Sequence, residues 1–217
     1  MYNKYFNYQE KMQKQERVIA YIDGFNLYFG MLEAGFDKLK WLNVKKLVES
    51  LLKPWQVLED VCYFTSRVRD NPEKQKRQSV FIDALVSKDI KVIYGHYQAN
   101  TQECLRCGNI WSDPKEKMTD VNIATAIIVD AYKDKYDMAM LISGDSDLVP
   151  PIKEVHNLFP DKRVFVAFPP KRHTASIANV AKGSLIIGRK KLVDAQFDTE
   201  VISKTGFVLK APKEWTK

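Results

Sequence analysis

The sequence predicts an α/β domain built on a mostly parallel sheet with helices on both faces. Three observations carry this expectation. Short apolar runs alternate with amphipathic stretches at least five times along the chain. At 217 residues the chain can bury a core without covalent staples. Its 45% hydrophobic and 28% charged residues are those of a globular protein, which excludes wholesale disorder.

Each element has a local reason. VIAYI is a buried strand stopped at Asp23-Gly24, and FNLYFGMLEAG after it reads as a short helix. NVKKLVESLL is an amphipathic helix capped by Asn43. VCYFTSRV is a strand, and PEKQKRQSVFIDALVSK is a helix with Pro72 in its first turn. IKVIYGHY is a strand, TDVNIATAIIVDAYKDK a helix, and MAMLIS an apolar strand that ends at GDSD. SDLVPPIKEVHNLF turns helical, RVFVAF is a strand, TASIANVAKG a helix closed by Gly183, and LIIG a short edge strand. Residues 1–16 form an N-terminal extension dotted with Tyr2, Tyr5, Phe6 and Tyr8, the domain spans 17–193, and 194–217 is a tail.

Composition narrows the class of function. No apolar run approaches the ~18–20 residues of a membrane span. The opening MYNKYFNYQEKMQKQER lacks the apolar stretch and cleavage site of a secretory signal. Three cysteines, an odd number, make no disulfide framework. The expectation is a soluble, cytoplasmic protein. Its net charge of +7 permits a polyanionic partner without demanding one.

In such a sheet the right-handed crossovers bring all strand ends and following helix starts to one rim, where ligands bind. Asp23 ends the first strand, with Asn26 one short turn later. Asp145 and Asp147 follow the strand MAMLIS, and Asp120 opens the helix that feeds it. Each of these acids has an ordinary structural use as a turn or helix cap. Four on one rim are hard to explain as caps alone. Crowded carboxylates resist joint ionisation unless a cation neutralises them, and hard oxygen donors without His or Cys select Mg²⁺ or Mn²⁺. Such ions activate water and stabilise charge developing on a phosphodiester. Ser143, Ser146 and Thr119 add hydroxyls to the same rim.

IDGFNLYFG, EKMTDVNIATAIIVDAY and LISGDSDLVPPIKEV resemble the three signature segments of the NYN domain, in particular its LabA-like proteins, a branch of the PIN-like nuclease superfamily. FPPKRHTAS resembles a further recurring segment of that group, and the likeness runs from about Arg17 to Leu192. It implies a three-layer Rossmann-like fold with sheet order 3-2-1-4-5, which faces Asp23 and Asp145 across the switch point. It also implies Asp23, Asp120 and Asp145 as core metal ligands with Asp147 completing the set. Asn26 matches the polar position of the first motif, and Ser143 the hydroxyl before the glycine.

The loops of the rim are basic: Arg67 and Arg69, Lys115 and Lys117, and Lys171, Arg172 and His173. A phosphodiester backbone needs such flanking cations, and Tyr97 and Trp111 offer rings for unpaired bases. Arg172 and then Lys117 are favoured as substrate contacts. Residues 98–116 form an insertion that holds Cys104-Leu105-Arg106-Cys107-Gly108, half of a zinc ribbon in spacing. His96 and His173 are candidate further ligands, and reduced loop thiols or a redox pair remain open alternatives. Cys62 reads as a buried strand residue.

The expected function is a Mg²⁺- or Mn²⁺-dependent ribonuclease in which metal-activated water attacks phosphorus. The rivals are a non-catalytic RNA- or protein-binding module and a DNase of the same superfamily, since the acidic centre does not tell ribose from deoxyribose. A haloacid-dehalogenase phosphatase needs a second Asp two residues after the first, and Phe25 stands there. A homodimer is compatible with the cysteine loop and the aromatic extension.

Overall fold

ERVIAYID makes a strand that is buried on both sides. Val18, Ala20 and Ile22 enter one apolar cluster while Ile19 and Tyr21 enter the other, so this strand must lie between two helical layers. The computed structural model describes residues 15–68, 71–98, 101–112 and 115–216.

The first half of the chain runs β1 (Glu16–Asp23), α1 (Gly24–Glu33), α2 (Val44–Glu49), β2 (Gln56–Thr65), α3 (Pro72–Val86) and β3 (Lys91–Tyr94). Four short strands follow: β4 (His96–Gln98), β5 (Thr101–Glu103), β6 (Ile110–Ser112) and β7 (Lys115–Lys117). The second half runs α4 (Thr119–Tyr132), β8 (Met138–Ile142), α5 (Val149–Leu158), β9 (Arg163–Phe168), α6 (Ala175–Val180), β10 (Ser184–Ile186) and α7 (Arg189–Asp194). The chain closes on the hairpin β11 (Glu200–Ile202) and β12 (Val208–Lys210).

The helix starts follow their sequence signals. Asn43 accepts from the Lys46 amide at 3.1 Å, and Asn71 accepts from that of Lys74 at 2.9 Å just ahead of Pro72. Helices α1, α2, α3 and α7 bury Leu27, Val44, Leu47, Leu85 and Leu192 on one face of the sheet. Helices α4, α5 and α6 bury Ile123, Ile127, Ile152 and Ile177 on the other.

The main sheet has the order β10-β9-β8-β1-β2-β3, with every pairing parallel. Counted over all strands of the chain this differs from the expected 3-2-1-4-5, although the five strands expected there keep their neighbours. The four strands that follow β3 in the chain pair among themselves, β4 with β7 and β5 with β6, and β10 adds a sixth strand at the edge. IKVIYGHY is likewise two strands and not one. Its sheet partner β2 ends at Thr65, whose carbonyl accepts the Gly95 amide at 2.7 Å, and beyond that point the chain leaves the sheet. The C-terminal segment packs into the domain: Trp215 meets Phe81 edge-on at 5.8 Å, and Trp41 Nε1 donates to the Asp198 carbonyl at 2.7 Å.

His156 reads as a surface residue in the sequence, yet its Nε2 accepts the Val164 amide at 3.1 Å. Burial, and next Lys182, push its pKa below the usual value. A lowered folded pKa favours the neutral ring, so this contribution is complete above the unfolded value near ~6.5 and is lost as pH falls through the folded one. Urea midpoints are therefore expected to hold between pH 8 and 7 and to fall between pH 6.5 and 5. His156→Gln, which keeps an acceptor but does not titrate, should flatten that drop.

Candidate active site

Neighbouring parallel strands carry their ends to the same edge, and here those strands are β1 and β8, paired from Val18↔Met138 to Ile22↔Ile142. Asp23 stands at the end of β1, 5% exposed. Its Oδ1 accepts the Asn26 amide at 3.0 Å, which caps α1, and its Oδ2 accepts the Ser143 hydroxyl at 3.0 Å. Ser143 Oγ in turn accepts the Asp145 amide at 3.1 Å, and Asn26 Oδ1 accepts that of Gly144 at 2.9 Å. The first and third signature segments are thus joined by side chain to backbone, not only by sheet pairing. Asp145 also does a capping job, since its Oδ1 accepts the Asp147 amide at 3.0 Å. Asp23 and Asp145 thus act as caps and still line one cleft.

Asp120 enters from the first turn of α4. Met118 before it adopts φ 76°, a left-handed conformation that costs a residue with a side chain about 1 kcal/mol or more. A cleft of about 150 Å³ is lined by Asp23, Asn26, Thr119, Asp120, Asp145 and Arg172, with Phe25 and Phe29 beside them. Asp147 is exposed and is not among the residues lining it.

Arg172 reaches the cleft on a loop held against two glycines. A Cβ at Gly144 would lie 1.7 Å from the Arg172 carbonyl oxygen, and one at Gly30 would lie 2.6 Å from that of Pro170. Thr174 donates to the Gly144 carbonyl at 2.9 Å and ties the same loop down. The Arg172 guanidinium pairs with Glu33, while its buried Nε has no hydrogen-bond partner among the described residues.

Two of the other expected contacts lie elsewhere. Arg67 stacks on the Tyr94 ring at 4.7 Å, and Lys171, exposed with φ 60°, does not line the cleft. Arg69 and the side chains of Lys115, Lys117, Tyr97 and Trp111 lie outside the described residues. Phe25 and Phe29 went unread in the sequence. Their spacing of four on a helix that starts at the rim was the available signal.

The fit of a metal rests on three carboxylates sharing one cleft. Among the described residues no three His, Cys, Asp or Glu side chains stand close enough to hold an ion between them. Carboxylate oxygens without His or Cys are the donor class of Mg²⁺ or Mn²⁺, and Mg²⁺ keeps several waters and takes only one or two carboxylates directly.

Cys104 and Cys107 sit on a turn between β5 and β6. The Cys104 amide donates to the Asn109 carbonyl and the Gly108 amide to the Cys104 carbonyl, each at 2.8 Å, with Gly108 at φ 68°. The amides of Arg106 and Cys107 face the Cys104 sulfur and hold its thiol below the usual pKa. Neither His96 nor His173 joins the pair in a three-ligand group. Cys62 is buried, and burial pushes its thiol up to about 12.

Residues 17–187 match the model of the NYN domain. The chain belongs to the NYN domain family. NYN domains fall within the PIN-like nuclease superfamily. Among curated proteins, a 6-hydroxy-3-succinoylpyridine 3-monooxygenase, HspA, of Pseudomonas putida (strain DSM 28022 / S16) is 26% identical over 198 residues, covering 74% of this chain. The chain spans 62% of that relative's length. Among solved structures, a protein of unknown function from Vibrio parahaemolyticus RIMD 2210633 is similar with a TM-score of 0.57 at 18% identity, over 82% of this chain and 96% of that one. This likeness supports the fold alone. The NYN match covers the β1 and β8 ends, the α4 start and the Arg172 loop together.

The close approach at Gly144 makes a sharp expectation. Gly144→Ala must push the Arg172 loop away and should destabilise the protein by about 2 kcal/mol or more, read from urea unfolding.

Proposed function

We propose that this NYN protein is a Mg²⁺- or Mn²⁺-dependent ribonuclease. The observation that carries the reading is the single cleft in which Asp23, Asp120 and Asp145 meet Arg172. Asp23, Asp120 and Asp145 would hold one or two ions, one or two carboxylates directly and the rest through water, with Asp147 beside them. When bound, the ions make water nucleophilic and offset charge developing on the phosphodiester. Ser143, bonded to both Asp23 and the Asp145 amide, keeps the two carboxylates in register. Asn26 does the same for the backbone between them through Gly144. The Arg172 guanidinium brings positive charge to a site that would otherwise repel phosphate. The motif set supports placement in the LabA-like branch.

Ribose over deoxyribose is part of this proposal, as is a zinc ion on the Cys104–Cys107 turn. Two cysteine sulfurs are half of a tetrahedral site, and in this proposal a second copy of the chain supplies the other two donors. Zinc measured by elemental analysis on protein purified without chelator should reach about half an equivalent per chain. It should vanish in Cys104→Ser.

End-labelled single-stranded RNA and matched DNA, incubated with Mg²⁺, Mn²⁺ or EDTA, test the main reading. RNA cleavage is expected with metal alone, and Asp145→Asn should reduce it by about a hundred-fold or more. Asparagine caps as well as aspartate, so the variant's unfolding free energy should stay within ~0.5 kcal/mol of the parent. RNA binding without cleavage in folded protein would favour the non-catalytic module, and preferred cutting of DNA the DNase.

A further inference from the structure

A second cavity, of about 400 Å³, lies on the other side of α1 from the acidic cleft. The two share a wall. Phe25 and Phe29, rings stacked 6.1 Å apart at 20°, line both. The volume falls within the ~300–1,000 Å³ of sites that take small molecules. Its surface is unusually aromatic, with Tyr28, Tyr63, Phe81 and Trp215 joining the phenylalanine pair. Polar groups are few but varied: Thr65 from β2, Lys74, Arg77 and Gln78 from α3, and Lys40 and Glu214.

One of the cations, Lys40, stands over rings and also pairs with Asp37 at 3.7 Å. Lys40 Nζ stands 5.4 Å from the centre of the Tyr28 ring and 5.8 Å from that of Trp215. Arg77 pairs with Glu214 at 3.2 Å, which presents a donor and an acceptor side by side. Flat aromatic walls, a few hydrogen-bonding edges and flanking positive charge are what an unpaired base on a phosphate backbone recognises. Duplex would not reach such a cavity, because its bases are stacked inside the helix.

Building on the ribonuclease reading, we propose that this cavity receives the unpaired base next to the phosphate held in the acidic cleft. Phe25 and Phe29 form the partition over which the strand passes. The C-terminal segment completes the pocket, since Trp215 and Glu214 come from the last turn of the described chain. Selectivity for single strands then follows from the shape of the pocket and not from the acidic centre.

The test uses the full chain carrying Asp145→Asn, so that substrate stays intact. Single-stranded RNA heptamers with 2-aminopurine or an abasic site stepped through each position are titrated in Mg²⁺. At one position the fluorophore should be quenched on binding, and the abasic site should weaken binding by about ten-fold or more. Val68→Trp, which fills the cavity from a half-buried wall position, should remove both effects, and Tyr28→Ala should weaken them. Cleavage by the parent enzyme that is indifferent to abasic sites at every position would overturn the pocket and leave the ribonuclease reading standing. Absence of any RNA binding would overturn both. Quenching that is equal in the parent background and in Val68→Trp would place the base outside the cavity and overturn the proposal.

Discussion

Everything at the rim depends on one buried carboxylate. Asp23 is 5% exposed and spends its oxygens on the Asn26 amide and the Ser143 hydroxyl, one on its own helix and one across the seam to β8. A buried charge without such donors would be expensive. With them it becomes the fastener of two segments separated by 120 positions. The same bonds that satisfy Asp23 bring Asp145 into position, because Ser143 serves both.

The second constraint is contact distance. The loop carrying Arg172 can lie over the seam only because residue 144 has no side chain, and it can lie over α1 only because residue 30 has none. Small residues therefore decide where the cation goes, while the cation itself is held by Glu33 from α1. That helix has a double task. Its first turn is capped by Asp23, and its aromatic face separates the acidic cleft from the larger cavity.

The strand and helix alternation was legible because both faces of each central strand are buried, which leaves long apolar runs such as MAMLI. Asp23, Asp120 and Asp145 were legible because parallel connections carry strand ends to one edge. Asp147 follows the same strand and the resemblance adds it to the set, and the turn from Ser146 to Leu148 leaves it exposed. The strand count of the sheet was not legible, because nothing in residues 96–117 distinguishes a strand that joins the sheet from one that pairs within its own ribbon.

The sequence by itself determined the fold class, the helix caps and which carboxylates gather at the rim, because each follows from local pattern and from the handedness of the crossovers. Tertiary structure alone decided that Trp215 returns to Phe81, that His156 accepts from β9, and that Phe25 and Phe29 divide two cavities. Those contacts join residues whose separation along the chain carries no periodic signal. They are set by how the layers pack, and packing is written in shape and not in pattern.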